Sequence, residues 1–124
     1  MSEKSLVLAI DDDANVLKLI KANLVLEGFE VITAADGFSG IRAFEDSDPA
    51  LILLDVMMPG MDGLELIKKI RTISKVPIIM LTAKDDSQTL QQALSLGADD
   101  FISKPFSLRE LTARVRSKVR RTKA

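Results

Sequence analysis

Three consecutive acids, Asp11-Asp12-Asp13, follow the apolar run Ser5 to Ile10, and a fourth, Asp55, follows Leu51 to Leu54. Thr82 closes the run Val76 to Leu81, and Lys104-Pro105 closes the run Phe101 to Ser103. Acids, a hydroxyl and an amine at the ends of separate apolar runs are the parts of an ion-handling site, once something gathers them. Two carboxylates about 4 Å apart repel by roughly 4 kcal/mol at an effective dielectric near 20. Clustering Asp11, Asp12 and Asp55 is therefore costly unless a cation sits among them. Mg²⁺ suits such a set, because it prefers oxygen ligands, keeps several waters and binds through one or two carboxylates. Asp12 and Asp55 are assigned as direct ligands, with Asp11 acting through water. Asp13 is read as an anion favoured at a helix N-terminus. Taken without the other residues, the triple aspartate would be a solvated turn.

The elements that must position these residues follow from the apolar pattern. Continuous apolar runs separated by helical stretches are what a parallel sheet buried on both faces looks like. Every strand of such a sheet points the same way, so the residues that follow the strands meet at its carboxyl edge, where ligands bind. The chain reads as five repetitions of strand then helix. The first helix is expected over Ala14 to Glu27, with Val16, Ile20 and Leu24 as its core stripe and Gly28 as its cap. Glu30 to Ala34 is the second strand. Phe38 to Glu45 is the second helix, opened by Asp36-Gly37. Asp48-Pro49 starts the third strand, where a missing N–H does little harm. The third helix carries Leu64, Ile67 and Ile70, and the fourth spans Asp85 to Leu96, capped by Gly97. Ser107 and Glu110 form a capping box for the last helix, whose stripe is Leu108, Leu111, Val115 and Val119. Lys104-Pro105 is a candidate cis peptide that would aim the lysine amine into the site.

Composition narrows the classes of function. A chain of 124 residues is expected to be one domain that buries about two thirds of its unfolded surface. No apolar run approaches the roughly 20 residues of a membrane span, and the first residues carry no signal-peptide pattern, so a cytoplasmic protein without membrane contact is expected. With no cysteine, disulfides, thiolate metal sites and cysteine nucleophiles are excluded. With no histidine, Ser-His-Asp catalysis, imidazole zinc sites and a histidine pH switch are excluded as well. The segment from Arg114 to Ala124 is basic and holds no acid. It is read as a solvated helix end favoured by the macrodipole, and no direct nucleic-acid binding is expected of this domain.

Five signatures in order resemble the receiver domain of bacterial two-component response regulators, over nearly the whole chain from Leu6 to about Arg121. They are the acids after the first strand, Leu54-Asp55-Val56-Met57-Met58-Pro59-Gly60-Met61-Asp62-Gly63, Leu81-Thr82-Ala83, Gly97-Ala98-Asp99-Asp100-Phe101, and Lys104-Pro105-Phe106. The resemblance implies a single receiver domain over 1–124 with a five-stranded α/β flavodoxin-like fold in strand order 2-1-3-4-5. Right-handed crossovers then put the first and last helices on one face and the other three on the opposite face. It implies that Asp55 accepts a phosphoryl group from a histidine kinase or phosphotransfer protein, with Asp11, Asp12, Asp55 and the Met57 carbonyl holding Mg²⁺. Thr82 and Lys104 would hold the phosphoryl oxygens, with Phe101 as an aromatic switch that follows Thr82 inward. Lacking histidine, the chain needs another molecule as its phosphodonor.

The resemblance is to a signalling domain rather than a turnover enzyme: it assists its own phosphorylation and loses the group slowly. Met57 and Lys84 would flank the path of the hydrolytic water. Among relatives the likeness is to receivers of winged-helix DNA-binding regulators, in which the fourth helix, fifth strand and fifth helix pair two copies upon phosphorylation. Asp99, Asp100, Glu110, Arg114 and Arg121 match that dimer face; Leu90 and Gln91 depart from it. The chain ends where such regulators continue through a linker, so a stand-alone or an excised receiver is expected. A haloacid-dehalogenase-type phosphatase would need an acid where Met57 stands. A flavin-mononucleotide binder would place hydroxyls, not three aspartates, after the first strand.

Overall fold

The computed structural model describes residues 4–56, 58, 62–83 and 87–123, with side chains described as far as Val119. Strands β1 (Leu6–Ile10), β2 (Glu30–Ala34), β3 (Leu51–Asp55), β4 (Ile78–Ala83) and β5 (Asp100–Lys104) alternate with helices α1 (Ala14–Leu26), α2 (Gly37–Ser47), α3 (Gly63–Arg71), α4 (Ser87–Ser95) and α5 (Leu108–Lys123). All strand pairs are parallel, in the order β2-β1-β3-β4-β5. Among the described residues no helix is long and apolar enough to cross a membrane.

Side chains alternate across each strand, and the sheet divides the core in two. Val7, Ala9, Leu51, Leu53, Ile79, Leu81 and Ile102 pack against α1 and α5 through Leu17, Ile20, Leu24, Leu111, Val115 and Val119. Leu8, Ile10, Ile52, Leu54, Ile78 and Met80 pack on the other face against Phe44 of α2, three α3 side chains and Ala93 of α4. Each large aliphatic side chain buried in this way contributes about 1.5–3 kcal/mol of transfer free energy.

Helix starts follow local chemistry. Asp13, Asp36 and Asp62 cap α1, α2 and α3 by accepting backbone N–H bonds, as expected of N-cap acids. The Ser107 Oγ accepts from the Glu110 N–H at 2.9 Å. Gly28 sits just beyond α1 with φ of 97° and Gly97 beyond α4 with φ of 116°, a backbone region that costs glycine little.

Several expected details differ. The α1 stripe is Leu17, Ile20 and Leu24, with Val16 half-buried at its margin. In α3 the buried aliphatics are Leu66, Ile67 and Ile70, while Leu64 is half-buried. Leu108 of α5 is 37% exposed. Val16 and Leu64 still pack against the margins of the two core clusters. Helix α2 runs to Ser47, two residues beyond the expected end, and closes on Asp48 in the left-handed region. Strand β3 begins at Leu51, after Pro49. Strand β4 continues through Thr82 to Ala83, because those residues pair with Ser103 and Lys104. Helix α4 begins at Ser87; Asp85, where it was expected to begin, lies outside the described residues.

Candidate functional site

The parallel sheet brings the chemistry-bearing residues to its carboxyl edge. Asp11 follows β1 directly, and its N–H donates to the Ala34 carbonyl at 3.1 Å, which fixes the chain where it leaves the sheet. The Asp11 carboxylate is fully buried: Oδ1 accepts from the Asp13 N–H at 2.9 Å, and Oδ2 accepts from Lys104 Nζ at 2.9 Å. Asp55 ends β3 and is 7% exposed, with its Oδ2 3.6 Å from Lys104 Nζ. Asp12 is exposed. One carboxylate oxygen from each of Asp11, Asp12 and Asp55 lies within 4.8 Å of the others. Asp13 turns away from this group and caps α1.

Electrostatics here are lopsided, since three carboxylates face one ammonium. Burial alone would lower the Lys104 pKa. The hydrogen bond to Asp11 and the charges of Asp55 and Asp11 outweigh it, so the ammonium is held above its ordinary value of 10.5. The donor set fits a small hard cation: all three groups offer oxygen, two are buried, and exposed Asp12 leaves the cluster open to water.

Thr82 is buried near the end of β4. Phe101 pairs with Met80 across β4 and β5 and is half-buried against the core on the α2, α3 and α4 face. Strand alternation puts Thr82 on that same face, two residues beyond Met80. The Lys104-Pro105 bond is cis. Met57, the expected carbonyl ligand, and Lys84 lie outside the described residues.

The residues expected on a dimer face are engaged within one chain. Arg114 Nη1 donates to Asp100 Oδ1 at 2.7 Å, and Arg114 also lies 3.5 Å from Glu110. Arg71 Nη2 donates to Asp99 Oδ2 at 2.9 Å. The side chain of Arg121 is outside the described residues. Leu90 is half-buried and Gln91 exposed.

Two features of the site carry weak sequence signals. Gly63 approaches the chain after β3 so closely that a Cβ would stand 2.5 Å from the Val56 Cα; its N–H donates to the Val56 carbonyl at 3.0 Å. The strand end bearing Asp55 is thus braced by a residue that must be glycine. Beside Lys104, Val16, Leu19, Phe106 and Leu108 line an apolar groove of about 350 Å³. Leu19 is 58% exposed. Its one clue in the sequence is that it falls off the core stripe of α1.

Comparison with known proteins agrees with this architecture. A family model described as the response regulator receiver domain matches residues 7–116. The chain is 44% identical over 119 residues to the "Probable transcriptional regulator ycf27" of Cyanophora paradoxa, covering 96% of this chain and 50% of that protein. The protein of the same description from Porphyridium aerugineum is 45% identical over 119 residues, with the same coverage. The chain therefore spans about half the length of the curated relatives it matches. Among solved structures, a CheY-like response regulator receiver domain protein from Methanospirillum hungatei JF-1 superposes with a TM-score of 0.92 at 30% identity, covering 98% of each chain.

Proposed function

The chain belongs to the response regulator receiver family of two-component signalling, and from that premise we propose that Asp55 is its phosphoacceptor. The observation that carries this reading is the convergence of Asp11, Asp12, Asp55 and Lys104 at one sheet edge, where exposed Asp12 leaves the cluster open to solvent. An Asp55 carboxylate oxygen attacks the phosphorus of a phosphohistidine on a kinase or phosphotransfer protein. The bond from phosphorus to the donor's imidazole nitrogen breaks, and Asp55 becomes an acyl phosphate. Lys104 lies near enough to meet the developing negative charge on the transferring oxygens. Thr82, one residue before Ala83, the register partner of Lys104, offers its hydroxyl to the phosphoryl group.

Asp11, Asp12 and Asp55 would hold Mg²⁺, joined by the Met57 carbonyl in the family pattern. When bound, the ion supplies charge neutralisation to the phosphoryl oxygens. Asp11 keeps its carboxylate oriented through the Asp13 N–H. The apolar groove of Val16, Leu19, Phe106 and Leu108 opens next to Lys104, which suits it to meet the apolar face of the phosphodonor. Phe101, on the face that Thr82 shares, reports phosphorylation by repacking; without a phenolic hydroxyl it signals through contact alone. The output we propose is control of transcription through a further region of the kind the curated relatives carry, in the cytoplasm, with pairing of two copies through α4, β5 and α5 as one route.

Incubation with acetyl phosphate and Mg²⁺ tests the assignment. Intact mass should show one added phosphoryl group, lost on chelation of the metal and in Asp55→Asn. Labelling that persists in Asp55→Asn would overturn it.

A further inference from the structure

Gly40, Gly63 and Gly97 each stand where a Cβ would collide with a neighbour, and the neighbours differ in kind. At Gly97 the nearest atom is Arg71 Nε, at 2.9 Å. Arg71 is bound there through each of its nitrogens. Nε donates to the Gly97 carbonyl at 2.9 Å, Nη1 to the Ser74 carbonyl at 3.2 Å and Nη2 to Asp99 Oδ2 at 2.9 Å. That contact lies at the amino edge of the sheet, away from the acid cluster. At Gly40 the neighbour is Ile10, the last residue of β1 and the one before Asp11. A Cβ would stand 2.7 Å from Ile10 Cδ1, 3.2 Å from Cγ1 and 3.3 Å from Cγ2.

Neither side of this contact has room to give way. Ile10 is fully buried, with Ala34 of β2 and Leu54 of β3 as its register partners. Gly40 is buried in the first turn of α2, which is fastened where β2 ends. The Gly40 N–H donates to the Asp36 carbonyl at 2.9 Å, and the Ser39 N–H donates to Asp36 Oδ1 at 2.8 Å. Interiors packed at crystal density transmit a displacement instead of absorbing it. The register shows where a displacement would go: Ile10 pairs with Leu54, and the next residue on each strand is an acid of the cluster, Asp11 and Asp55. Asp11 Oδ2 takes the Lys104 ammonium at 2.9 Å while Asp55 Oδ2 stands 3.6 Å from it. A shift at the end of β1 would alter that division directly.

We propose that Ile10 and Gly40 are a size-matched pair that positions Asp11 for cation binding. The space left by the missing Cβ at residue 40 is the space that Ile10 Cδ1 fills. Both are positioning residues, acting through Asp11 without touching the ion. The inference rests on the reading of Asp11, Asp12 and Asp55 as a Mg²⁺ site and adds what fixes its geometry. Mg²⁺ demands near-ideal octahedral placement of its ligands, whereas Ca²⁺ accepts a flexible arrangement. Displacing one carboxylate therefore penalises Mg²⁺ more than Ca²⁺.

Gly40→Ala should weaken Mg²⁺ binding, followed by titration calorimetry, by about tenfold, the loss expected when a residue that orients a metal ligand is changed. Binding of Ca²⁺ should weaken by a smaller factor. Ile10→Val removes Cδ1, so Ile10→Val with Gly40→Ala should regain the affinity of the parent, as volume-conserving swaps do. If Gly40→Ala folds poorly, Ile10→Val supplies the reading: alone it leaves a void and should bind Mg²⁺ more weakly than the double variant. Gly97→Ala makes the same change at the other edge and should leave Mg²⁺ affinity unmoved. Without metal, the Asp11 carboxyl ¹³C resonance should move in either single variant and return in the double, while that of Asp99 stays. A parent that binds no Mg²⁺ would overturn the metal site, and the metal-free Asp11 resonance would then decide the pair. Affinities and Asp11 resonances equal in the parent and both single variants would overturn the pair. So would a double variant no better than the weaker single, or equal losses of Mg²⁺ and Ca²⁺.

Discussion

The two edges of the sheet carry charged clusters built on opposite plans. At the amino edge one guanidinium meets one carboxylate and two carbonyls, with a hydrogen bond from each of its three nitrogens. At the carboxyl edge three carboxylates share one ammonium. The first cluster closes on itself and acts as a joint. The second is short of positive charge, a deficit that a divalent cation would fill. A polar cluster's charge balance, more than its size, separates a structural joint from a binding site.

The largest effect expected from breaking this contrast is at the joint. Arg71→Ala strips three charge-assisted hydrogen bonds, at a cost of about 2–3 kcal/mol, and should lower the melting midpoint by roughly 10 °C. A fall of only a degree or two would mean that the amino edge is not a joint. Next in size, Mg²⁺ at about 100 times its dissociation constant should stabilise the fold by about 2.7 kcal/mol. Arg71→Ala should keep that increment, because the metal acts at the other edge, whereas Asp12→Ala should lose it. Equal midpoints with and without Mg²⁺ in the parent would remove the distinction between the edges.

A smaller effect runs in the opposite direction. Asp12→Asn relieves like-charge repulsion, so the metal-free protein should melt about 1–3 °C higher than the parent; a lower midpoint would show that Asp12 stabilises the empty cluster. The smallest effect concerns Lys104. Its folded-state pKa is raised above 10.5, so its contribution is complete below that pH and fades as pH climbs through the folded value. The nine other lysines of the chain are common to parent and Lys104→Met, so the difference between the two isolates this ammonium. The stability difference between parent and Lys104→Met, followed by denaturant titration without metal, should shrink above pH 10.5. A difference that stays constant would place the ammonium outside the carboxylate field.

Much of the site was legible because strand ends are marked by abrupt changes of residue type. Asp11, Asp55 and Lys104 each interrupt an apolar run, and a parallel sheet must bring such interruptions to one edge. Asp36 and Ser107 were equally plain as helix starts. The core stripes were less so: Val16, Leu64 and Leu108 fit a helical period as well as their buried neighbours do, and only packing against the sheet decides between them. The role of Arg71 was not legible at all, since its partners Gly97 and Asp99 are more than twenty residues away and its neighbours suggest an ordinary basic helix end.

By itself the sequence determined the alternation of strands and helices, the residue types at each strand end and the caps that start the helices. These depend on local periodicity and local hydrogen bonding. Tertiary structure decided which of two buried faces each strand residue occupies, a choice that continuous apolar runs such as Leu6 to Ile10 leave open. It also decided that Lys104 bonds Asp11 at 2.9 Å while standing 3.6 Å from Asp55, and that Arg71 reaches across to the turn after α4. Those outcomes depend on distances between elements far apart in the chain, and packing alone sets such distances.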